Sequence, residues 1–311
     1  MTHAHDEKAV WTSYWHGGRQ ACFSGNEVSR QALTSLWRNF FSGFDEGARL
    51  LDLATGAGEV AMIAADVGAA RGLDLEISGV DFAAIAPSQR RGVTLLGDTD
   101  ISVLPFASAT FGGITSQFGF EYAQSADAIG EAARVMAPAA RGLFVIHHAQ
   151  SLLSIQTRSR LRTFDAIAGD MGAFDKAQES FALFAHNAPQ AETLAAVTRF
   201  RQAVQAMRNA LSLSPDAEPN TAEAVSFLSD LARSPHTFDP VDADKRVQAA
   251  RRDIDLWKKR QMAQIAAAKD AASMQRLAGE FGASGLTSAT PGELRDASGT
   301  LLAWRFEFRK P

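Results

Sequence analysis

The residues best suited to chemistry in this chain stand in a glycine-containing turn, Thr55-Gly56-Ala57-Gly58. The segment before it, RLLDLA, is mostly apolar and typical of a strand, and the segment after it, EVAMIAADVGAA, is typical of a helix. A strand, a turn of small residues and a helix together let a nucleotide approach the backbone and face the helix N–H groups. The pattern therefore predicts a nucleotide-binding site.

Two ligands are compatible with this turn. The glycine spacing, with alanine in the third position, fits a loosened dinucleotide fingerprint, and Asp81 follows about 20 residues later. Three features favour another ligand. Asp52 just before the turn suits a cationic amino-acid group better than a pyrophosphate. Asp98 adds an acid beside Asp81, and the chain ends in a pair of strands that a simple dinucleotide domain lacks.

The composition limits the class of protein. With 311 residues, 46% of them hydrophobic, the chain can form one large domain with an elaboration. Its formal net charge of -4 offers no basic surplus for nucleic acid. The one cysteine, Cys22, cannot form an internal disulfide or a multi-thiolate metal site. Because there is no signal-peptide-like N-terminus and no run of about 20 apolar residues, we expect a cytoplasmic protein with no membrane partner.

Apolar segments alternate with helical patterns between residues 49 and 148. The predicted strands are RLLDLA, LEISGVDF, GVTLLGD, FGGITSQFGF and RGLFVIHH. A short helical region is predicted between the second and third, and the helix SADAIGEAARVMAP between the fourth and fifth. This alternation predicts a parallel sheet covered on both faces. Two strands near the C-terminus have no helix between them and must be antiparallel neighbours.

Helical segments flank and interrupt this pattern. Residues 151–268 contain no convincing strand, but α-helical spacing produces one apolar stripe: Val197, Phe200, Val204, Met207 and Leu211. The stripe must be buried, either on neighbouring helices within an acceptor lid or against a second subunit in a homodimer. The predicted organisation is an N-terminal helical segment or lid (1–45), a nucleotide-binding core (46–150), a helical insertion (151–268), and a last helix and hairpin that complete the core (269–311).

The segment 49–148 resembles the class I, Rossmann-like S-adenosylmethionine-dependent methyltransferases. LLDLATGAG is similar to their first motif, GVDF to the second, and LLGDTDISVLPFASATFGGITSQFGF to the third and fourth. The resemblance implies a seven-stranded, mostly parallel α/β sheet with an antiparallel last strand. It covers the end of the chain loosely and the insertion not at all. Ala54 and Gly112 stand where the family usually has a glycine and an acid.

The resemblance also implies the cofactor, S-adenosylmethionine, and its product, S-adenosylhomocysteine. The backbone from Ala54 through Thr55 and Gly56 to Gly58 would pack against the methionine part and the ribose, with Asp52 near the amino-acid end. Asp81 would accept hydrogen bonds from both ribose hydroxyls. Further contacts would come from Phe82, Asp98 and Thr99 at the adenine, from Ser116, Gln117 and Phe118 near the methyl group, and from Tyr14 and Trp15 as a lid.

Each of these assignments has a simpler alternative. Asp81 and Asp98 would only cap the turns that follow them, as aspartates often do. The segment around Tyr14 and Trp15 would only dock on the sheet edge through its apolar surface.

A sulfonium methyl is already activated, so catalysis depends mainly on holding the acceptor in line and excluding water. A base is needed only where the acceptor has a proton to lose. The candidates follow the fourth and fifth strands: Glu121, Tyr122, His147 and His148. An imidazole there could be a base, or both histidines could be structural. We expect no metal site, because adjacent strand residues point to opposite faces.

The sequence therefore predicts methyl transfer by in-line displacement to a small organic acceptor. The segment SQFGFEYA lacks the Asn/Asp-Pro-Pro-aromatic tetrapeptide of enzymes that methylate planar amino groups. Two alternatives stay open: a non-catalytic protein that binds S-adenosylmethionine and interacts through its helices, and an NAD(P)-dependent oxidoreductase. No motif distinguishes oxygen, nitrogen or carbon as the methylated atom.

Overall fold

The computed structural model of this chain describes residues 2–16, 26–123, 125–169, 172–214, 217, 219–288 and 290–311. Residues 17–25, which include Cys22 and part of the predicted N-terminal segment, lie outside the described residues. The chain divides into two compact units: the core unit (Met1–Ile155 and Ala263–Pro311) and the helical unit (Gln156–Met262).

The core unit is built on one sheet. Its first five strands are parallel: β1 (Arg49–Leu53), β2 (Glu76–Val80), β3 (Val93–Leu96), β4 (Phe111–Gln117) and β5 (Met136–Ile146). The C-terminal segment adds β6 (Thr287–Ser288), β7 (Gly292–Arg295) and β8 (Leu301–Arg309). The order is β3-β2-β1-β4-β5-β8, and β6 and β7 pair with successive stretches of β8. Since β8 is antiparallel to β5, the predicted, mostly parallel sheet with an antiparallel last strand is confirmed. The strands β6 and β7 both lie beside β8, so eight strands fill the seven positions of the sheet.

Helices cover both faces of this sheet. The helices of the core unit are α1 (Thr2–His16), α2 (Glu27–Phe41), α3 (Glu59–Arg71), α4 (Ala126–Val135) and, later in the chain, α10 (Ala271–Ala283). Apolar side chains of α2 and α3 share a cluster with Leu50, whereas those of α4 and α10 share one with Leu51. Successive strand residues face opposite sides, so the near-continuous apolar strands supply two cores.

Two details of the predicted elements are wrong. Residues 81–92 form no helix, because the residue before Pro87 is disfavoured in the α region and Gly92 ends the segment with φ +79°. The helix α4 ends at Val135, and β5 begins at Met136 rather than at Arg141. Pro138 lacks the N–H that a continuing helix would need, so the chain extends earlier than its apolar pattern indicates.

Among the described residues of the helical unit, the regular elements are all helices. They are α5 (Leu152–Ala168), α6 (Gly172–Ala185), α7 (Gln190–Ser212), α8 (Pro219–Arg233) and α9 (Pro240–Ala267), of which α5 and α9 extend across the unit boundaries. In the predicted stripe Phe200 is fully buried and shares a cluster with Phe174, Leu228 and Trp257. The stripe is therefore covered by helices of its own unit. None of the described helices combines the length and apolarity needed to span a membrane.

Candidate active site

The loop after β1 depends on left-handed backbone conformations. Ala54, Gly56 and Gly58 have φ values of +52°, +55° and +84°. Glycine adopts this region without steric cost, whereas Ala54 carries a Cβ there. The Thr55 N–H donates to the Val80 carbonyl at 2.9 Å, which holds the turn against the end of β2. Gly58 is the N-cap of α3, so the N–H groups that begin this helix lie at the edge where the strands end.

Asp52 lies behind the turn, inside the sheet. Its carboxylate accepts hydrogen bonds from the Thr55 hydroxyl at 2.6 Å and the Thr115 hydroxyl at 2.7 Å. Burial raises the pKa of Asp52 from its ordinary value of 3.8 to about 7, although both hydroxyl bonds favour the ionised form. The carboxyl thus ties the turn to β1 and β4. Its contact with the amino-acid end of a ligand stays a prediction.

Asp81 is in direct contact with the turn. Its carboxylate accepts hydrogen bonds from the N–H groups of Gly56 at 2.7 Å and Ala83 at 2.8 Å. Burial raises the pKa of Asp81, and these two bonds oppose that effect. The bond to Ala83 is the turn-capping arrangement expected of an aspartate. A carboxylate has about four acceptor positions, so two of those on Asp81 remain for the hydroxyls of a ligand.

The predicted adenine contacts gather on the β3 side of Asp81. Thr99 donates its N–H to the Asp81 carbonyl at 2.9 Å, and Asp98 donates its N–H to Ala83 at 3.0 Å. The Asp98 carboxylate forms a 2.6 Å ion pair with Lys8, whose ammonium lies 5.9 Å from the centre of the Phe82 ring. Asp98, Thr99 and Phe82 are therefore brought together, and Lys8 is an addition that the sequence reasoning missed.

The helix α1 lies along the edge where these strands end. One face of α1, here called the site face, consists of Lys8, Trp11, Thr12 and Trp15. These positions follow the i, i+3, i+4, i+7 spacing of one helix face. The Trp11 ring is 4.8 Å from that of Tyr122 after β4, and the Thr12 hydroxyl accepts a 3.1 Å hydrogen bond from Ala84 after β2. The spacing was the signal that could have revealed this face.

Trp15 covers the glycine turn. A Cβ built on Gly56 would overlap the indole of Trp15, so the ring rests directly on the Gly56 backbone. The Tyr14 ring packs edge-on against Trp15 at 4.8 Å. The structure thus places Trp15 on the turn and Tyr14 against Trp15.

The residues at the end of β4 divide between the two sides of the sheet. The Ser116 hydroxyl accepts a 3.1 Å hydrogen bond from the Phe120 N–H, which ties the end of the strand to the loop that follows. The Gln117 side chain is directed toward α2 and α3, where it accepts from the Trp37 indole at 2.6 Å and donates to Glu59 at 3.1 Å. The Ser116 hydroxyl is therefore held by the loop that contains Phe118, whereas the Gln117 amide contacts the helices on one face.

Glu121 and His147 form a buried pair. One oxygen of Glu121, Oε1, is 2.8 Å from the backbone N of His147 and 2.6 Å from its Nδ1. Their side chains are 0% and 5% exposed. With the carboxylate as acceptor, Nδ1 is the donor in this contact, which leaves Nε2 as the ring nitrogen for another partner. The other oxygen, Glu121 Oε2, is buried without a hydrogen-bond partner in the part of the chain that the structure describes.

Aromatic rings surround this pair. The Phe118 ring lies 4.5 Å from the His147 ring, and the Tyr122 ring lies 5.8 Å from it. His148 is not part of the group. It stacks on Trp304 at 4.3 Å, and its Nδ1 accepts from the Gln150 N–H at 2.9 Å. Burial lowers the pKa of His148, and its Nε2 lies 3.8 Å from the Glu293 carboxylate. A catalytic role for His148 stays a prediction.

Metal-ligating side chains do not cluster in the described ranges. Within them, no three His, Cys, Asp or Glu side chains are arranged to hold a metal ion. The Glu121–His147 pair nevertheless places a carboxylate beside a histidine. The prediction from the sequence considers the two adjacent histidines without this carboxylate.

Comparisons with known proteins bear on the same region. Residues 51–146 match the family model described as Methyltransferase domain. No curated protein matches the chain. The solved structure of Burkholderia thailandensis 1,6-didemethyltoxoflavin-N1-methyltransferase is 10% identical, over 99% of this chain and 89% of that one, with a TM-score of 0.47.

Two further solved structures, both of SAM-dependent methyltransferases, each align with a smaller part of this chain. The one from Methanosarcina mazei is 18% identical over 40% of this chain and 64% of its own, with a TM-score of 0.31. The one from Aquifex aeolicus is 19% identical over 40% of this chain and 69% of its own, with a TM-score of 0.32. The region that matches the family model runs from Leu51, within β1, to Ile146, the last residue of β5.

Proposed function

We propose that this chain, whose residues 51–146 are a class I S-adenosylmethionine-dependent methyltransferase domain, methylates a small organic acceptor at the edge where β1, β2 and β4 end. S-adenosylmethionine is the cofactor of such a domain and S-adenosylhomocysteine its product. When bound, the cofactor supplies a methyl group that the sulfonium charge has already activated. The acceptor, the binding residues and the proton transfer are the parts that we propose.

The contact between Gly56 and Asp81 carries the proposal. It joins a turn of small residues to a buried carboxylate that keeps acceptor positions for two hydroxyls, which are the groups that a ribose presents. Asp98 and Thr99 lie on one side of Asp81, and residues 116–118 stand at the end of β4, on the other side of β1. These residues fit the cofactor, with Asp81 as the ribose ligand.

His147 is the proposed base. Its Nδ1 is fixed by Glu121, so Nε2 is the ring nitrogen that remains for an acceptor. An acceptor O–H or N–H that reaches Nε2 would transfer its proton there as the methyl group is transferred. The rings of Phe118 and Tyr122 beside the imidazole offer flat apolar walls, which suit a planar acceptor and exclude water.

The helical insertion is proposed to determine which acceptor is methylated. The His147 carbonyl accepts from the Lys269 N–H at 2.8 Å, and the Ala149 N–H donates to the Lys269 carbonyl at 2.9 Å. Within the core unit, the segment that leads into the helical unit is therefore paired with the segment that follows it, next to the proposed base. Replacing residues 156–262 with a short linker should leave cofactor binding intact and remove methylation. A shortened chain that still methylates the acceptor would refute this role.

Two experiments test the proposed function. Calorimetry should show binding of S-adenosylhomocysteine and none of NADPH, and the reverse result would favour an oxidoreductase. Incubation with a metabolite extract and methyl-labelled S-adenosylmethionine should then yield a labelled small molecule, whose structure identifies the methylated atom. If His147→Ala labels that molecule as fast as the parent, His147 is not the base.

A further inference from the structure

We infer that α1 is a displaceable cover of the cofactor site, in which Trp15 occupies the surface of the glycine turn until the cofactor replaces it. This inference rests on the proposed function, because it concerns how the same site is opened. Its basis is the position of the site face of α1, whose four side chains each contact a different loop at the edge of the sheet.

The first step is steric. A glycine at position 56 leaves the backbone open to close approach, and the Trp15 indole fills that opening. The N–H of Gly56 is already donated to Asp81. A ligand that packs on the backbone of this turn must therefore take the place of the indole. In the free protein, Trp15 and the cofactor compete.

The second step concerns how weakly α1 is held. Among its residues 8–16, only Val10 is buried, whereas α2 buries Ser29, Leu33, Trp37 and Phe41. The ion pair between Lys8 and Asp98 is solvent-exposed, with 34% and 61% of the two side chains accessible. Exposed ion pairs and single hydrogen bonds are the weaker ties in a protein. The helix can therefore leave the site without disrupting the core of the sheet.

The third step links the cover to the proposed base. Trp11 and Trp15 are four residues apart, which is about 6 Å along a helix. Trp15 lies on the cofactor turn, and Trp11 lies on Tyr122, whose ring is 5.8 Å from that of His147. Displacing Trp15 therefore also moves Trp11 away from the acceptor side.

Calorimetry of the full-length protein with S-adenosylhomocysteine tests the competition. Trp15→Ala should bind about three- to tenfold more tightly than the parent, because a competing apolar contact is removed from the free state. Ser13→Ala, at an exposed position of the same helix, is the matched control and should bind like the parent. Unchanged or weaker binding by Trp15→Ala would overturn the inference, since Trp15 would then be neutral or a cofactor contact.

Hydrogen exchange of the parent protein provides a readout that does not depend on a variant that folds. Amides of α1 should exchange faster when S-adenosylhomocysteine is added, because the helix loses its contacts with the four loops. Slower exchange in α1 would mean that the helix closes over the cofactor, and would also overturn the inference. If neither parent nor variants bind S-adenosylhomocysteine, it is the proposed function that fails.

Discussion

Replacing Asp52 with asparagine should make the stability of this protein less dependent on pH. Burial raises the pKa of Asp52 to about 7 in the folded state, whereas in the unfolded chain it returns to an ordinary value near 3.8. The folded state thus holds a proton that the unfolded state releases. This group therefore stabilises the fold fully below about pH 4, and the contribution is lost as the pH rises through 7.

The size of the effect follows from this difference in pKa. It corresponds to at most about 4 kcal/mol of unfolding free energy, fully expressed only in acid. Near pH 5 the contribution is about 2.5 kcal/mol, because this pH is about two units below the pKa of the carboxyl in the folded state. Near pH 8.5 the contribution is close to zero. Asparagine has a similar size, keeps an acceptor oxygen for one threonine hydroxyl and does not titrate. The Asn variant keeps some pH dependence, because burial also raises the pKa of Asp81.

Urea denaturation of the parent and of Asp52→Asn near the two pH values measures this difference. Relative to the parent, the variant should gain about 2.5 kcal/mol on going from pH 5 to pH 8.5. Asp45→Asn removes an exposed carboxylate from the same unit and controls for the loss of charge. A gap between parent and variant that stays constant with pH would refute the reasoning, since Asp52 would then be ionised throughout and its two hydroxyl bonds would outweigh burial.

Other substitutions test the remaining assignments. Asp81→Ala should abolish calorimetric binding of S-adenosylhomocysteine, because each lost hydrogen bond to a carboxylate is worth about 1.5–3 kcal/mol; parent-like affinity would contradict the ribose assignment. Gly56→Val should do the same, since a branched side chain is strained at φ +55°, and retained affinity would argue against the turn. Glu121→Gln should bind the cofactor normally but methylate at least about tenfold more slowly; an equal rate would remove Glu121 from the mechanism. Phe200→Asp should lower the melting temperature, because it buries an unpaired charge; a folded variant that only converts a dimer to a monomer would instead indicate an interface.

Much of the fold and part of the site could be predicted from local spacing. Apolar strands alternating with helices are enough to indicate a parallel sheet, because periodicity records which face of each element is buried. The glycines at 56 and 58 indicate left-handed backbone, and both adopt it. The stripe through Phe200 indicates a buried helix face, which α7 has. Each of these features is decided by residues that are close in the sequence.

The contacts that define the chemistry are of another kind. Glu121 and His147 are 26 residues apart, and they meet because β4 and β5 are neighbours and each residue follows the end of its strand. The Asp52 carboxylate accepts a hydrogen bond from Thr115, 63 residues later, because β1 and β4 are paired. The site face of α1 mixes lysine, threonine and tryptophan, so hydropathy alone does not reveal it. The residue types came from the sequence, but only strand order and helix packing decided which of them touch, because distance in space is set by the whole fold.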